Sequence, residues 1–141
     1  MRLKDKQRLD YTLGGVGIFV LKPLAVLLGN LLRRDHSLII KDHVAVIKML
    51  GGGSLVIALP ALLGLRRKYP HVRLSLVTTS SLKPFADVLA IFDEILIVDD
   101  KSLFTLCVSC MRLLRRLFHV DTILDFEVYS RLTTVFSTLA C

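Results

Sequence analysis

Four groups of residues in this chain are suited to chemistry. The first is Gly51-Gly52-Gly53-Ser54, set between a β-branched run and a helical stretch. Glycines between a strand and a helix let backbone N–H groups approach an anion, and the serine behind them can cap the helix. A tight turn with no ligand has the same sequence, so spacing alone leaves both readings open. The dinucleotide fingerprint G-x-G-x-x-G fails, because Val56 stands where its third glycine belongs. Thr78-Thr79 offers no acid for a ribose, and the absence of Gly-Lys-Ser/Thr excludes a P-loop. The second group is Asp125 and Glu127, two residues apart at the end of a strand and expected on one face.

The third group, Cys107-Val-Ser-Cys110, invites a redox or zinc reading. However, Leu103, Leu106, Cys107, Cys110, Leu114 and Leu117 form an apolar stripe at helical spacing, with Arg112, Arg115 and Arg116 opposite. Both cysteines are therefore expected as small buried hydrophobes. His36, His43, His71 and His119 lack a second Cys/His pair at zinc spacing, so no metal is expected. Unpaired cysteines fit a reducing, cytosolic compartment. The fourth group is basic: Arg33-Arg34, Arg66-Arg67-Lys68, and Arg112 with Arg115-Arg116. Nucleic-acid grooves interleave cations with exposed aromatics. Here Trp is absent and the phenylalanines mostly sit in apolar runs, so no nucleic-acid partner is expected. Solvated helix faces or attraction to anionic lipid remain.

The elements that must position these groups follow a rhythm. His43–Met49 reads as a first strand, followed by a helix ending at the cations near Lys68, before Tyr69-Pro70. Val72–Thr78 reads as the second strand, and Ser81 is placed to cap a short helix through about Ala90. Glu94–Val98 is a third strand, Ser102–Phe118 a helix, Thr122–Glu127 a fourth strand and Tyr129–Leu139 a last helix. Four alternations without a hairpin signal predict βαβ units, a parallel sheet and a Rossmann-like α/β fold. In such sheets ligands bind beyond the carboxyl ends of the strands. A strand order 3-2-1-4 would bring the loops after strands one and four together.

Composition agrees with this frame. Of 141 residues 53% are apolar, mean hydropathy is +0.61 and the net charge is +7. Disorder is excluded, as is a disulfide-dense scaffold, since Gly is 8, Pro 4 and Cys 3. One source of the apolar excess is a sheet covered on both faces. The other is the tract Leu13–Leu32, long enough to span a bilayer. Its twelve Leu/Ile/Val/Phe favour insertion by about 5 kcal/mol. Lys22 costs about 3 kcal/mol, and Pro23, Asn30 and four glycines erode the remainder. Arg2, Lys4, Lys6 and Arg8 precede the tract, while Arg33, Arg34 and Lys41 follow it. A broken helix in the interface, a span and a hairpin packed on the protein's own core are the three alternatives. Residues 1–42 are read as a basic, hydrophobic membrane-associating segment and 43–141 as the α/β domain. The expected location is the cytoplasmic side of a membrane.

One segment carries a resemblance. Lys48-Met49-Leu50-Gly51-Gly52-Gly53-Ser54-Leu55-Val56-Ile57-Ala58-Leu59-Pro60-Ala61-Leu62, with Leu65-Arg66-Arg67-Lys68-Tyr69-Pro70, resembles the opening of family 9 glycosyltransferases, the enzymes similar to ADP-heptose:lipopolysaccharide heptosyltransferases. Ile123-Leu124-Asp125-Phe126-Glu127 with Ser130-Arg131 is similar to that family's strand-four segment and its following basic residue. The resemblance runs from His43 to the carboxyl terminus. It implies the acceptor-side, amino-terminal half of a GT-B enzyme that moves a sugar from a nucleotide-sugar to a lipopolysaccharide or other cell-envelope glycan, and it implies that the membrane is the inner one.

On that resemblance, Gly51, Gly52, Gly53, Ser54, Asp125 and Arg131 are the expected substrate-binding residues. The nucleotide-sugar donor, with no other cofactor, belongs to a carboxy-terminal domain that these 141 residues do not include, and the chain alone is expected to be inactive. The family's loop acid, thought to be its catalytic base, aligns with Ser54, and serine is no proton acceptor near neutral pH without a base of its own. Glu127 is the candidate to replace it. The alternative is a non-catalytic membrane-surface module whose Gly51–Ser54 loop holds a phosphorylated lipid or sugar.

Overall fold

The computed structural model describes residues 40–127 and 130–140, together with residues 8, 11, 12, 14–17, 19, 20 and 23. Strands β1 (His43–Ile47), β2 (Arg73–Thr79), β3 (Glu94–Val98) and β4 (Thr122–Asp125) alternate with helices α1 (Gly52–Lys68), α2 (Lys83–Leu89), α3 (Leu103–Leu117) and α4 (Arg131–Ala140). All three strand pairings are parallel and the order is β3-β2-β1-β4. The architecture is a Rossmann-like α/β layer. The order reverses at β1, and β3 and β4 are the edges.

Alternation along the central strands divides the core in two. Val44, Val46, Leu74 and Leu76 point to one face, where Leu55 and Leu62 of α1 and Ala86 of α2 cover them. Ala45, Ile47, Val77, Leu96 and Val98 point to the other, beneath Leu113 and Leu117 of α3. Burial on both faces is what makes the strands read as continuous apolar runs.

Carboxylates fix the strand register at the amino ends. Asp121 Oδ2 accepts from Asp42 N at 2.6 Å and His43 N at 2.8 Å. Asp93 Oδ2 accepts from Leu74 N at 2.7 Å, and Arg66 reaches Asp93 Oδ1 at 2.8 Å. The backbone N–H of Asp42, then that of His43, hold the Asp121 carboxyl below the usual carboxylate range. Burial pulls Asp93 upward, but Leu74 N–H and the Arg66 guanidinium outweigh it and keep Asp93 low as well. His43 hydrogen-bonds Ser75 Oγ at 2.7 Å, and burial, then Arg73, push its imidazole below the ordinary histidine value.

Several boundaries differ from the sequence reading. β1 stops at Ile47 because Met49 turns its N–H to Glu127 and its carbonyl to Thr79. Gly52 and Gly53 belong to the first turn of α1, so the glycine loop is shorter than expected. Ser81 is not a cap: its hydroxyl pairs with Thr79 Oγ1 at 2.9 Å, while α2 begins after Leu82 with Pro84 in its first turn. Ser102 does cap α3, reciprocally with Thr105. Cys107 is exposed and Cys110 half-buried. The inward arc of α3 runs through Leu106, Cys110, Leu113, Leu114 and Leu117, which turns Leu103 and Cys107 outward. β4 ends at Asp125, so strand alternation no longer governs Glu127. α4 begins at Arg131, and Tyr129, its expected start, lies outside the described residues.

The described residues between Arg8 and Pro23 are helical. A Cβ on Gly15 would lie 3.2 Å from Arg131 Nη1, and one on Gly17 would lie 3.3 Å from Val135 Cγ2, so this helical segment lies against α4. Residues 21, 22 and 24–32 of the apolar tract, including the Lys22 break, lie outside the described residues. Among the described residues no helix is long and apolar enough to cross a membrane.

Candidate functional site

The carboxyl ends of β1 and β4 meet as their adjacency requires. Phe126 N donates to Ile47 O at 3.0 Å, continuing the ladder one residue past β4. Glu127 then turns across the β1–α1 connection. Its Oε2 accepts from Lys48 Nζ at 3.1 Å, Met49 N at 2.9 Å and Leu50 N at 3.1 Å. The two side chains are nearly enclosed, 7% exposed for Lys48 and 12% for Glu127. Lys48 Nζ also donates to Phe126 O at 3.2 Å, and Asp125 Oδ1 accepts from Glu127 N at 2.8 Å. The result is a buried ion pair whose contacts tie the end of β1 to the segment after β4.

Gly51 carries the turn into α1. Its φ of 81° is a left-handed conformation that an L side chain rarely adopts. Gly52 is small for another reason: a Cβ there would sit 3.1 Å from the Phe85 ring of α2. Gly53 has open space. Ser54 is the third residue of α1, and its hydroxyl donates back to Gly51 O at 2.7 Å. Gly51 is the N-cap residue and makes no side-chain cap, which corrects the capping role expected of Ser54.

The structure thus gathers Asp125 and Glu127 with the β1–α1 connection. Ser54 faces its own helix turn, and Arg131 lies elsewhere, its guanidinium 4.3 Å from the centre of the Tyr11 ring. Lys48 enters the sequence reading only as part of a pattern and not as a site residue. A lysine closing an apolar β-branched run is the available signal, since such a residue needs a counter-charge once the strand is buried. Two hydroxyls stand at the carboxyl end of β2, where the fold class directs attention. Thr79 Oγ1 donates to Met49 O at 2.9 Å and so steadies the same connection from β2. Thr78 is buried, and its Oγ1 has no hydrogen-bond partner among the described residues, a cost of about 1–3 kcal/mol in a protein interior.

Chemically, Glu127 is a carboxylate gripped by a cation and two backbone donors, with all three on Oε2. Its Oε1 has no hydrogen-bond partner among the described residues and is the atom left to take up a proton or a substrate hydroxyl. Met49 N and Leu50 N, which would otherwise greet an anion, are already occupied by Glu127. Among the described residues no three of His, Cys, Asp and Glu come together as metal ligands.

No family model matches the chain, and no curated protein does. Among solved structures it is similar to the glycosyl transferase family 9 protein from Veillonella parvula DSM 2008, at 17% identity and a TM-score of 0.59. The match covers 74% of this chain and 31% of that one, so the chain spans about a third of that protein's length. At this identity the likeness establishes a shared fold.

Proposed function

We propose that this chain is the acceptor-side half of a GT-B glycosyltransferase, which transfers a sugar from a nucleotide-sugar to a lipopolysaccharide or other cell-envelope glycan. The observation that carries the reading is the fold likeness of this β3-β2-β1-β4 layer to a glycosyl transferase family 9 structure, with Glu127 brought onto the β1–α1 connection. In this reading Oε1 of Glu127 accepts the proton of the acceptor hydroxyl, while Lys48 and the Met49 and Leu50 amides hold the carboxylate in place. Gly51 to Ser54 and Asp125 line the acceptor side, while Arg131, stacked on Tyr11, takes no part in it. The donor is held by a second nucleotide-binding half, and catalysis requires both. The work takes place at the cytoplasmic face of the inner membrane.

The gene supplies the first test. A reading frame continuing past the codon for Cys141 into a second α/β half is expected, and the enzyme expressed from it should transfer sugar. Glu127→Gln in that enzyme should abolish transfer while leaving nucleotide-sugar binding intact. Transfer at the parent rate would refute the base role.

A second reading is favoured by one observation: the Ser54 hydroxyl is turned to Gly51 O, where the resembling family has an acid. It makes the chain a non-catalytic module for a phosphorylated lipid or sugar at the membrane surface. A frame that closes at Cys141, together with amide shifts at Gly51–Leu55 on adding a sugar phosphate to the chain alone, would select it.

A further inference from the structure

α3 has two apolar faces, and its own sheet uses only one. The inward arc ends on Leu113 and Leu117. Outward, Phe104 is 78% exposed, Met111 59% and Phe118, one residue past the helix, 57%. These three are spaced by seven, nearly two full turns, and so line one stripe, with exposed Cys107 between the first two. Single exposed apolar residues are ordinary, but two phenylalanines and a methionine in one line mark a surface that meets something.

The surrounding charge identifies what covers it. α3 contains no acidic residue, and Arg112 and Arg115 are exposed beside the stripe. Arg116 is committed to Glu94 at 2.6 Å. A second copy docking through the same stripe would bring the arginines of both copies together, because a two-fold interface is self-complementary. The layer containing α3 also contains α4, against which the amino-terminal helical residues lie, with Tyr11, Val16, Phe19 and Val20 exposed. The opposite layer exposes Ile57 and Val88 too, but the charges beside Val88 are paired, Lys83 with Asp87 at 2.7 Å.

We propose that α3 is an in-plane docking face for an anionic lipid bilayer, with Phe104, Met111 and Phe118 at the acyl boundary and Arg112 and Arg115 among the headgroup phosphates. The surface is built from the folded domain itself and is independent of the glycosyl-transfer reading.

Cys107 provides the test. In a C110A/C141A background it is labelled with an environment-sensitive fluorophore, and vesicles of phosphatidylcholine, alone or with phosphatidylglycerol, are added. The expected result is a blue shift, quenched by doxyl-labelled lipid, with the anionic vesicles only. R112E/R115E should weaken partition by about 25-fold or more, since each arginine near an anionic surface is worth about fivefold. The parent stripe reports without alteration, so the test does not depend on how a stripe variant folds. Three results would overturn the proposal: a label that stays water-like while the chain binds vesicles through its amino-terminal tract, a shift that follows protein concentration without vesicles, or no vesicle binding at all.

Discussion

Replacing Glu127 with glutamine removes one charge from a pair whose side chains are 7% and 12% exposed. The carbonyl of the new side-chain amide can still accept from Met49 N and Leu50 N, so the loss falls on Lys48. Its ammonium would stay enclosed with two neutral acceptors, the amide carbonyl in the place of Oε2 and Phe126 O at 3.2 Å, and without its counter-charge. Breaking a buried pair from one side costs about 3–5 kcal/mol, a large share of the about 5–15 kcal/mol that a domain has. With a urea slope of about 1–3 kcal/mol per molar, the unfolding midpoint should fall by about 2 M. Lys48→Met should cost less, about 1–3 kcal/mol, because the carboxylate keeps two backbone donors. The double variant Lys48→Met with Glu127→Gln leaves no buried charge and should be more stable than Glu127→Gln alone, with a coupling energy of about 0.5–3 kcal/mol. Urea unfolding followed by circular dichroism measures all four proteins. A Glu127→Gln midpoint indistinguishable from the parent, or strict additivity of the two changes, would refute the argument.

The three glycines should respond differently to alanine. Gly51→Ala meets a φ of 81° and should cost about 1–2 kcal/mol in thermal or urea unfolding. Gly52→Ala should be destabilising through the Phe85 ring, and Gly64→Ala, in open space inside α1, should stabilise by about 0.5–1 kcal/mol. For His43, whose imidazole is held below its ordinary value, the unfolded chain binds more protons just under about pH 6.5. Stability is therefore full above that pH and should decline on acidification, and His43→Gln should remove the decline in urea midpoints taken from about pH 7.5 to about pH 5. Thiol labelling of the native protein should modify Cys107 well before Cys110, whose thiol is half-buried and pushed up by that burial, then by Cys107. Equal labelling rates would contradict the outward turn of Cys107.

The sheet is legible in the sequence because β-branched runs separated by helix-length polar and apolar stretches admit little else. Glu94–Val98 matches its expected bounds, and Ser102 caps as its type suggests. What escapes is decided by contacts that no local pattern shows. Ser54 and Ser81 have the composition of caps, but each finds a nearer oxygen, Gly51 O and Thr79 Oγ1. Cys107 fits an apolar stripe drawn on a wheel, while the sheet selects an arc centred on Cys110 and Leu113. Glu127 is expected near the loop, and it lies there. Its partnership with Lys48 stays hidden because nothing local shows that both end up enclosed. Gly51, Gly52 and Gly53 look identical in a sequence and differ only once φ and the Phe85 ring are known.

The two carboxylates that grip β1 have a consequence for the order in which this chain matures. Asp121 holds the entry of β1 at His43, and Glu127 holds its exit at Met49, each across 78 residues of sequence. During synthesis the strand at the middle of the sheet is made first and clasped last. β2 can pair with it early, yet the clasps wait for the carboxylates at 121 and 127 to emerge. Closing so long a stretch is entropically slow. The innermost strand of the finished sheet is thus the one whose final setting waits until β4 and the segment after it have been made.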